Sequence, residues 1–136
     1  MTRLMRDAIW NGDVPTIEAL LAAGESPNCI DQKSGWSALM LAAENQQLQS
    51  TRTLLAAGAD PNYAMLDGWT ALHHAVDSEC DGQSQTGVPT DGQLTALLVS
   101  AGADPTAVWT HGDHTQTPGD IASRYRCESV AHALGL

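Results

Sequence analysis

The chain carries the same short passages several times over. Leu20-Leu21-Ala22-Ala23-Gly24 returns as Leu54-Leu55-Ala56-Ala57-Gly58, and a third version reads Leu98-Val99-Ser100-Ala101-Gly102. Pro27-Asn28 returns as Pro61-Asn62, and Asp60-Pro61 as Asp104-Pro105. Gly35-Trp36-Ser37-Ala38-Leu39-Met40-Leu41-Ala42 recurs 33 residues later as Gly68-Trp69-Thr70-Ala71-Leu72-His73-His74-Ala75, and Thr117-Pro118-Gly119-Asp120-Ile121-Ala122 is a last version. Units this short cannot bury an apolar face alone, so they must bury it on their neighbours in a linear stack of about three or more.

Each repeated residue type has a physical reason for its place. Ser37, Thr70 and Thr117 suit helix starts, because a hydroxyl can accept a hydrogen bond from an otherwise unpaired amide. Pro118 sits just inside such a start, where a missing N–H is harmless. Ala42, Ala75 and Ala122 are small and allow close helix approach. The leucine pairs form the apolar stripe of each second helix. Gly24, Gly58 and Gly102 follow those helices, where a left-handed terminating conformation favours glycine.

The period and the T-P-L-H-x-A pattern resemble ankyrin repeats, and the resemblance spans essentially the whole chain. It implies an all-α solenoid of helix-turn-helix units joined by β-hairpin loops. The 136 residues read as one domain, with repeats at about 3–34, 35–67, 68–114 and 115–136. The third repeat departs from the pattern: Ala8 to Leu20 and Ala42 to Leu54 span 12 positions, but Ala75 to Leu98 spans 23. The extra run is rich in Gly, Ser, Thr and Gln, and is predicted to be a surface loop over 78–92.

Charge is distributed unevenly. The formal net charge is −10, and no lysine or arginine occurs between Arg52 and Arg124. A field of that sign repels nucleic acid and anionic lipid and attracts a basic partner. Three widely spaced cysteines, Cys29, Cys80 and Cys127, imply neither a disulfide framework nor a Cys-x-x-Cys site, and suit a reducing compartment. The first ten residues lack the apolar run of a signal peptide, and no stretch approaches a membrane span. A cytoplasmic protein, monomeric by itself, is expected.

The resemblance also implies where a partner docks. In ankyrin proteins the hairpins and inner helices form a concave face, and residues beside the motif touch the partner. Carried onto this sequence, these positions include Trp10 in the first repeat, Trp36, Glu44 and Asn45 in the second, and Leu66, Asp67, Trp69 and Asp77 in the third. In the last they include His114, Arg124 and Tyr125. Trp109, in a lengthened hairpin, is expected to be exposed. Glu79, Asp81 and Asp91 of the inserted run are expected to add acidic contacts. Trp36 and Trp69 have a second reading, in which they only pack across adjacent hairpins.

Other site-like features carry less. Asp77-Ser78-Glu79-Cys80-Asp81-Gly82 resembles the opening of an EF-hand calcium loop, but Val88 stands where a bidentate glutamate belongs. His73 occupies the motif histidine that in this family bonds a neighbouring turn, His74 follows it on a different face, and His111 with His114 is a poor zinc pair. No nucleophile elbow, zinc-protease motif, dinucleotide fingerprint or phosphate loop is present, and no cofactor is implied. The expected function is non-enzymatic binding of another protein through the concave face. Its most concrete form is an acidic inhibitor or immunity-type protein covering a basic toxin or enzyme. The alternatives are an adaptor or assembly factor in a larger complex, and a calcium-dependent regulator acting through the acidic 77–91 loop.

Overall fold

A computed structural model describes residues 1–136. Eight helices form four pairs: α1 (Arg3–Asn11) with α2 (Val14–Ala22), α3 (Ala38–Glu44) with α4 (Leu48–Ala56), α5 (Ala71–Thr86) with α6 (Gln93–Ser100), and α7 (Pro118–Tyr125) with α8 (Glu128–Ala133). The first helices pack in the order α1, α3, α5, α7, and the second helices in the order α2, α4, α6, α8. The result is a two-layered stack, as the repeats predict.

Local chemistry fixes the helix starts. Ser37, Thr70 and Thr117 each accept a backbone N–H with the side-chain oxygen, and Thr2 and Asp13 do the same for α1 and α2. At Thr70 and Thr117 the bond is reciprocated by the side chains of His73 and Asp120. Between the layers, Ala42, Ala75 and Ala122 are fully buried, and each second helix contributes one sealed aliphatic residue, Ile17, Leu54, Leu98 or Val130. Leu20 and Leu55 are only partly covered.

Asparagines stitch the repeats together. Asn28 donates to the Gly58 carbonyl at 3.3 Å and accepts from the Asp60 amide at 2.7 Å. Asn62 repeats this one unit later, on Gly102 at 2.9 Å and Asp104 at 2.8 Å. Each side chain thus satisfies a donor and an acceptor of the next turn, at about 1 kcal/mol per bond.

The hairpins differ in extent. Those leading into α3 and α5 are closed by single bridges, Ile30 with Ser37 and Ala64 with Thr70. The lengthened one leading into α7 forms two strands, β1 (Trp109–His111) and β2 (His114–Gln116), with Thr110 opposite Thr115. It leans on its predecessor: the Thr110 amide donates to the Asp67 carbonyl at 2.8 Å. A Cβ on Gly68 would stand 2.2 Å from the Val108 carbonyl oxygen, so only glycine permits the approach.

The inserted run is not the loop predicted over 78–92. Helix α5 continues through it to Thr86, and only residues 87–92 are irregular. Val76, Glu79 and Cys80 are buried at helical spacing, which gives the extension an inward stripe. Glu79 explains why it is held. The N-cap of α6 is Gly92, which has no side chain to cap with. The Glu79 carboxylate instead accepts from the Leu94 amide at 2.9 Å, the Thr95 amide at 3.2 Å and the Thr95 hydroxyl at 2.6 Å. Further along, Ser129 donates its hydroxyl to the Thr90 carbonyl at 2.6 Å, and the Cys127 thiol donates to Gln83 Oε1 at 3.5 Å. The insertion is therefore seated on the last helix pair. No helix is long and apolar enough to cross a membrane.

Candidate protein-binding face

The first helices and their preceding hairpins share one side of the stack, and on it five rings run in a row. Trp36 meets His74 edge-on with ring centres 4.4 Å apart, and Trp69 meets His74 at 5.6 Å. Trp69 then contacts Trp109 at 5.4 Å, and Trp109 stacks on His111 at 5.7 Å. The row crosses three successive hairpins because each supplies one tryptophan, Trp36 and Trp69 just before a helix cap and Trp109 at the start of β1. Trp36 and Trp69 therefore pack across adjacent hairpins, as their second reading has it, and they remain partly exposed.

Trp109 is not the freely exposed residue expected. It is partly buried, and its indole N–H donates to Asp67 Oδ2 at 2.9 Å. Asp67 Oδ1 accepts from the Trp69 amide at 3.1 Å, so one carboxylate braces two members of the row. Burial pushes the Asp67 carboxyl up, but the bonds from Trp69 and Trp109 outweigh it, and the group sits below its ordinary range.

His74 is the centre of the row. It is 5 % exposed, and Nδ1 lies 2.8 Å from Glu44 Oε2 on α3. With Glu44 ionised, Nδ1 carries the proton and donates, which makes Nε2 an acceptor. That Nε2 is buried with no partner, as is the Trp69 indole N–H. Burial holds the His74 pKa below the usual histidine range, against the pull of Glu44, Asp77 and Asp67. His73, also buried, is depressed for the same reason. It bonds Thr70 at 2.8 Å and contacts the Gln116 carbonyl at 3.4 Å, the turn-bonding role expected of it.

Acids border the row. Asp77 on α5 pairs with Arg124 on α7 at 3.5 Å, and the Arg124 guanidinium lies 5.2 Å over the Tyr125 ring. Burial raises the Asp77 carboxyl despite Arg124, and Glu44 and Asp81 add repulsion. Asp81 accepts from Gln85 within α5. The fold thus gathers Trp36, Trp69, Trp109, Glu44, Asp67, Asp77, Arg124 and Tyr125 onto connected surface. Other expected contacts stand differently. Trp10 is exposed at the end of α1 and joins no ring contact. Asn45 is tied back to the Leu41 carbonyl at 2.8 Å. Leu66 projects fully exposed from a hairpin tip, beside a groove lined by Gly35, Tyr63 and Met65. His114 is exposed on β2, and exposed Asp91 caps the Gln93 amide at 3.2 Å.

Two expectations need correction. Glu79 is 6 % exposed and committed to α6, so it cannot contact a partner. The calcium reading of 77–91 also fails, because residues 77–82 are helical, with Asp77 turned to Arg124 and Glu79 turned inward. A calcium loop must wrap several oxygens around one point, and no group of three or more metal-ligating side chains exists here. The central place of His74 in the row was not foreseen, since a second histidine beside a motif position gives no sign that it will meet two indoles.

Residues 4–108 match the family model for ankyrin repeats, in three copies. The fourth helix pair lies beyond the matched region. Among similar proteins, the mouse nuclear factor NF-kappa-B p105 subunit is 37 % identical over 99 residues, 72 % of this chain and 9 % of its own length. Human M-phase phosphoprotein 8 is 38 % identical over 78 residues, 56 % of this chain and 9 % of that protein. Human B-cell lymphoma 3 protein is 36 % identical over 93 residues, 65 % of this chain and 20 % of that protein. The matched part of the chain spans about a tenth of the first two relatives and a fifth of the third.

Proposed function

We propose, from the premise that this chain belongs to the ankyrin-repeat family, that it binds a basic partner protein through the face bearing the ring row. The family is generally a non-enzymatic interaction module, so membership itself implies a protein–protein interaction domain. The observation that supports the basic-partner reading is the row itself: partly exposed indoles from three successive hairpins, bordered by Glu44, Asp67, Asp77 and Asp81. Tryptophan concentrates binding energy at interface centres, and acids at the border favour a cationic partner. Packed rings and a braced hairpin preorganise the face, which limits the entropy lost on docking.

On this reading the protein acts stoichiometrically, by covering or holding its partner, as an acidic inhibitor or immunity-type protein would. A second reading, an adaptor within a larger assembly, is supported by the relatives, in which the matched repeats are a small part of a much longer chain. The experiment is an affinity capture with the wild type and a Glu44→Gln, Asp77→Asn, Asp81→Asn variant. Loss of one basic protein in the variant supports the proposal. Undiminished capture of the same protein by the variant refutes this face as the site.

A further inference from the structure

Glu44 is only half engaged. Its Oε2 accepts from His74, Oε1 has no partner in the protein, and its side chain is 42 % exposed. The neighbouring Asp77 is repelled by both Glu44 and Asp81, and the one cation nearby, Arg124, is taken by Asp77. Three carboxylates thus share one guanidinium, next to indole surface. His74 connects the two features, because the ring that meets Trp36 and Trp69 is the ring that holds Glu44. Its buried Nε2 lacks a donor, so the ring is held on one side only, by Glu44.

We propose that Glu44, Trp36 and Trp69 form a seat for an arginine side chain of the partner, the guanidinium lying on indole surface and pairing with the free oxygen of Glu44. The seat deepens the basic-partner reading above and rests on it. A guanidinium suits the chemistry better than the alternatives. It is planar and weakly hydrated, so it stacks on an indole, and its fork of donors meets a carboxylate edge-on. An ammonium is a compact, strongly hydrated point charge that gives up more water to reach the rings. A hard divalent cation needs oxygens on several sides, and the rings supply none.

The test uses three synthetic peptides of the form Gly-Xaa-Gly-Xaa-Gly, in which Xaa is arginine, lysine or citrulline. Citrulline keeps the shape of arginine without its charge. Binding is followed through the four indole N–H signals in nitrogen-15 NMR spectra, which also report that each variant is folded. The arginine peptide is expected to shift the Trp36 and Trp69 signals and to bind about tenfold more tightly than the citrulline peptide. Glu44→Gln, which can still accept from His74, should bring the arginine peptide to within about twofold of citrulline. Trp36→Phe should weaken it in the same direction while keeping a ring in place. Equal affinity for arginine and citrulline overturns the seat, and so does equal affinity for arginine and lysine. Charge-dependent binding that ignores Glu44→Gln and leaves the Trp36 and Trp69 signals unmoved overturns the seat alone, whereas the basic-partner reading falls only by the capture experiment.

Discussion

A carboxylate that is 6 % exposed is tolerated only with partners, and Glu79 has three donors from α6. Removing it leaves two amides and a hydroxyl without acceptors, so Glu79→Ala should lower stability by about 2–3 kcal/mol, read as a fall in the urea midpoint. Glu79→Gln, which keeps one acceptor oxygen, should lose less. A second prediction concerns His73 and His74. Both are depressed below the ordinary value of 6.5, so the unfolded chain binds more protons than the fold once the pH nears 6.5. Their contribution is fully present above that value and is lost as the pH falls toward the folded values. The loss is at most about 1.4 kcal/mol per pH unit for each histidine. Asp77, raised from its ordinary 3.8, works in the opposite direction but at lower pH. Stability measured by urea unfolding should therefore drop between pH 7.5 and pH 5.5, and drop further in Glu44→Gln, where the hydrogen-bonded carboxylate no longer opposes the burial and only Asp77 and Asp67 do. Constant stability across this range would contradict the neutral, buried state of both rings. The sequence announces neither role, since Glu79 and His74 owe them to neighbours 15 and 30 residues away.

At the scale of elements, the features written in local chemistry were legible and those made by contact between elements were not. Ser37, Thr70 and Thr117 cap helices because a hydroxyl at that position needs only its own next turn. The extension of α5 was hidden by composition, as Gly82, Ser84 and Thr86 are poor helix formers. The signal that it would be helical was the stripe Val76, Glu79 and Cys80, in which a polar residue occupies a core position. The bracing of successive hairpins was likewise invisible, although Gly68 stands where it happens. Gly68 has φ +91° and its Cβ position faces the Val108 carbonyl, whereas Gly24, at φ +102°, faces nothing within 4 Å. Alanine at Gly24 should cost only the left-handed strain, about 1–2 kcal/mol. Alanine at Gly68 should cost more and separate the hairpins, moving Trp109 from Trp69. Near-ultraviolet circular dichroism, sensitive to the coupling of these indoles, should change in Gly68→Ala and not in Gly24→Ala.

For the whole molecule, one-dimensional stacking lets charge accumulate along a side without disturbing the core, because each repeat needs only its neighbours. The repeats and the acidic balance were both plain in the sequence. What could not be read was which residues of the proposed face meet, because Trp36, Trp69 and Trp109 stand on three successive hairpins and His74 on α5, brought together by the stack. The charge has a kinetic consequence separable from the contacts. A net charge of −10, with no cation between Arg52 and Arg124, produces a field that reaches a basic partner before any ring touches it. Its range shrinks from about 30 Å at 0.01 M ionic strength to about 10 Å at 0.1 M. The association rate with the captured partner, measured by stopped-flow tryptophan fluorescence, should therefore fall by roughly tenfold or more over that interval. The dissociation rate, governed by the buried rings, should change much less. If salt acts mainly on dissociation instead, the acids beyond Glu44 pair directly with the partner rather than steering it, and the long-range field is not what speeds association.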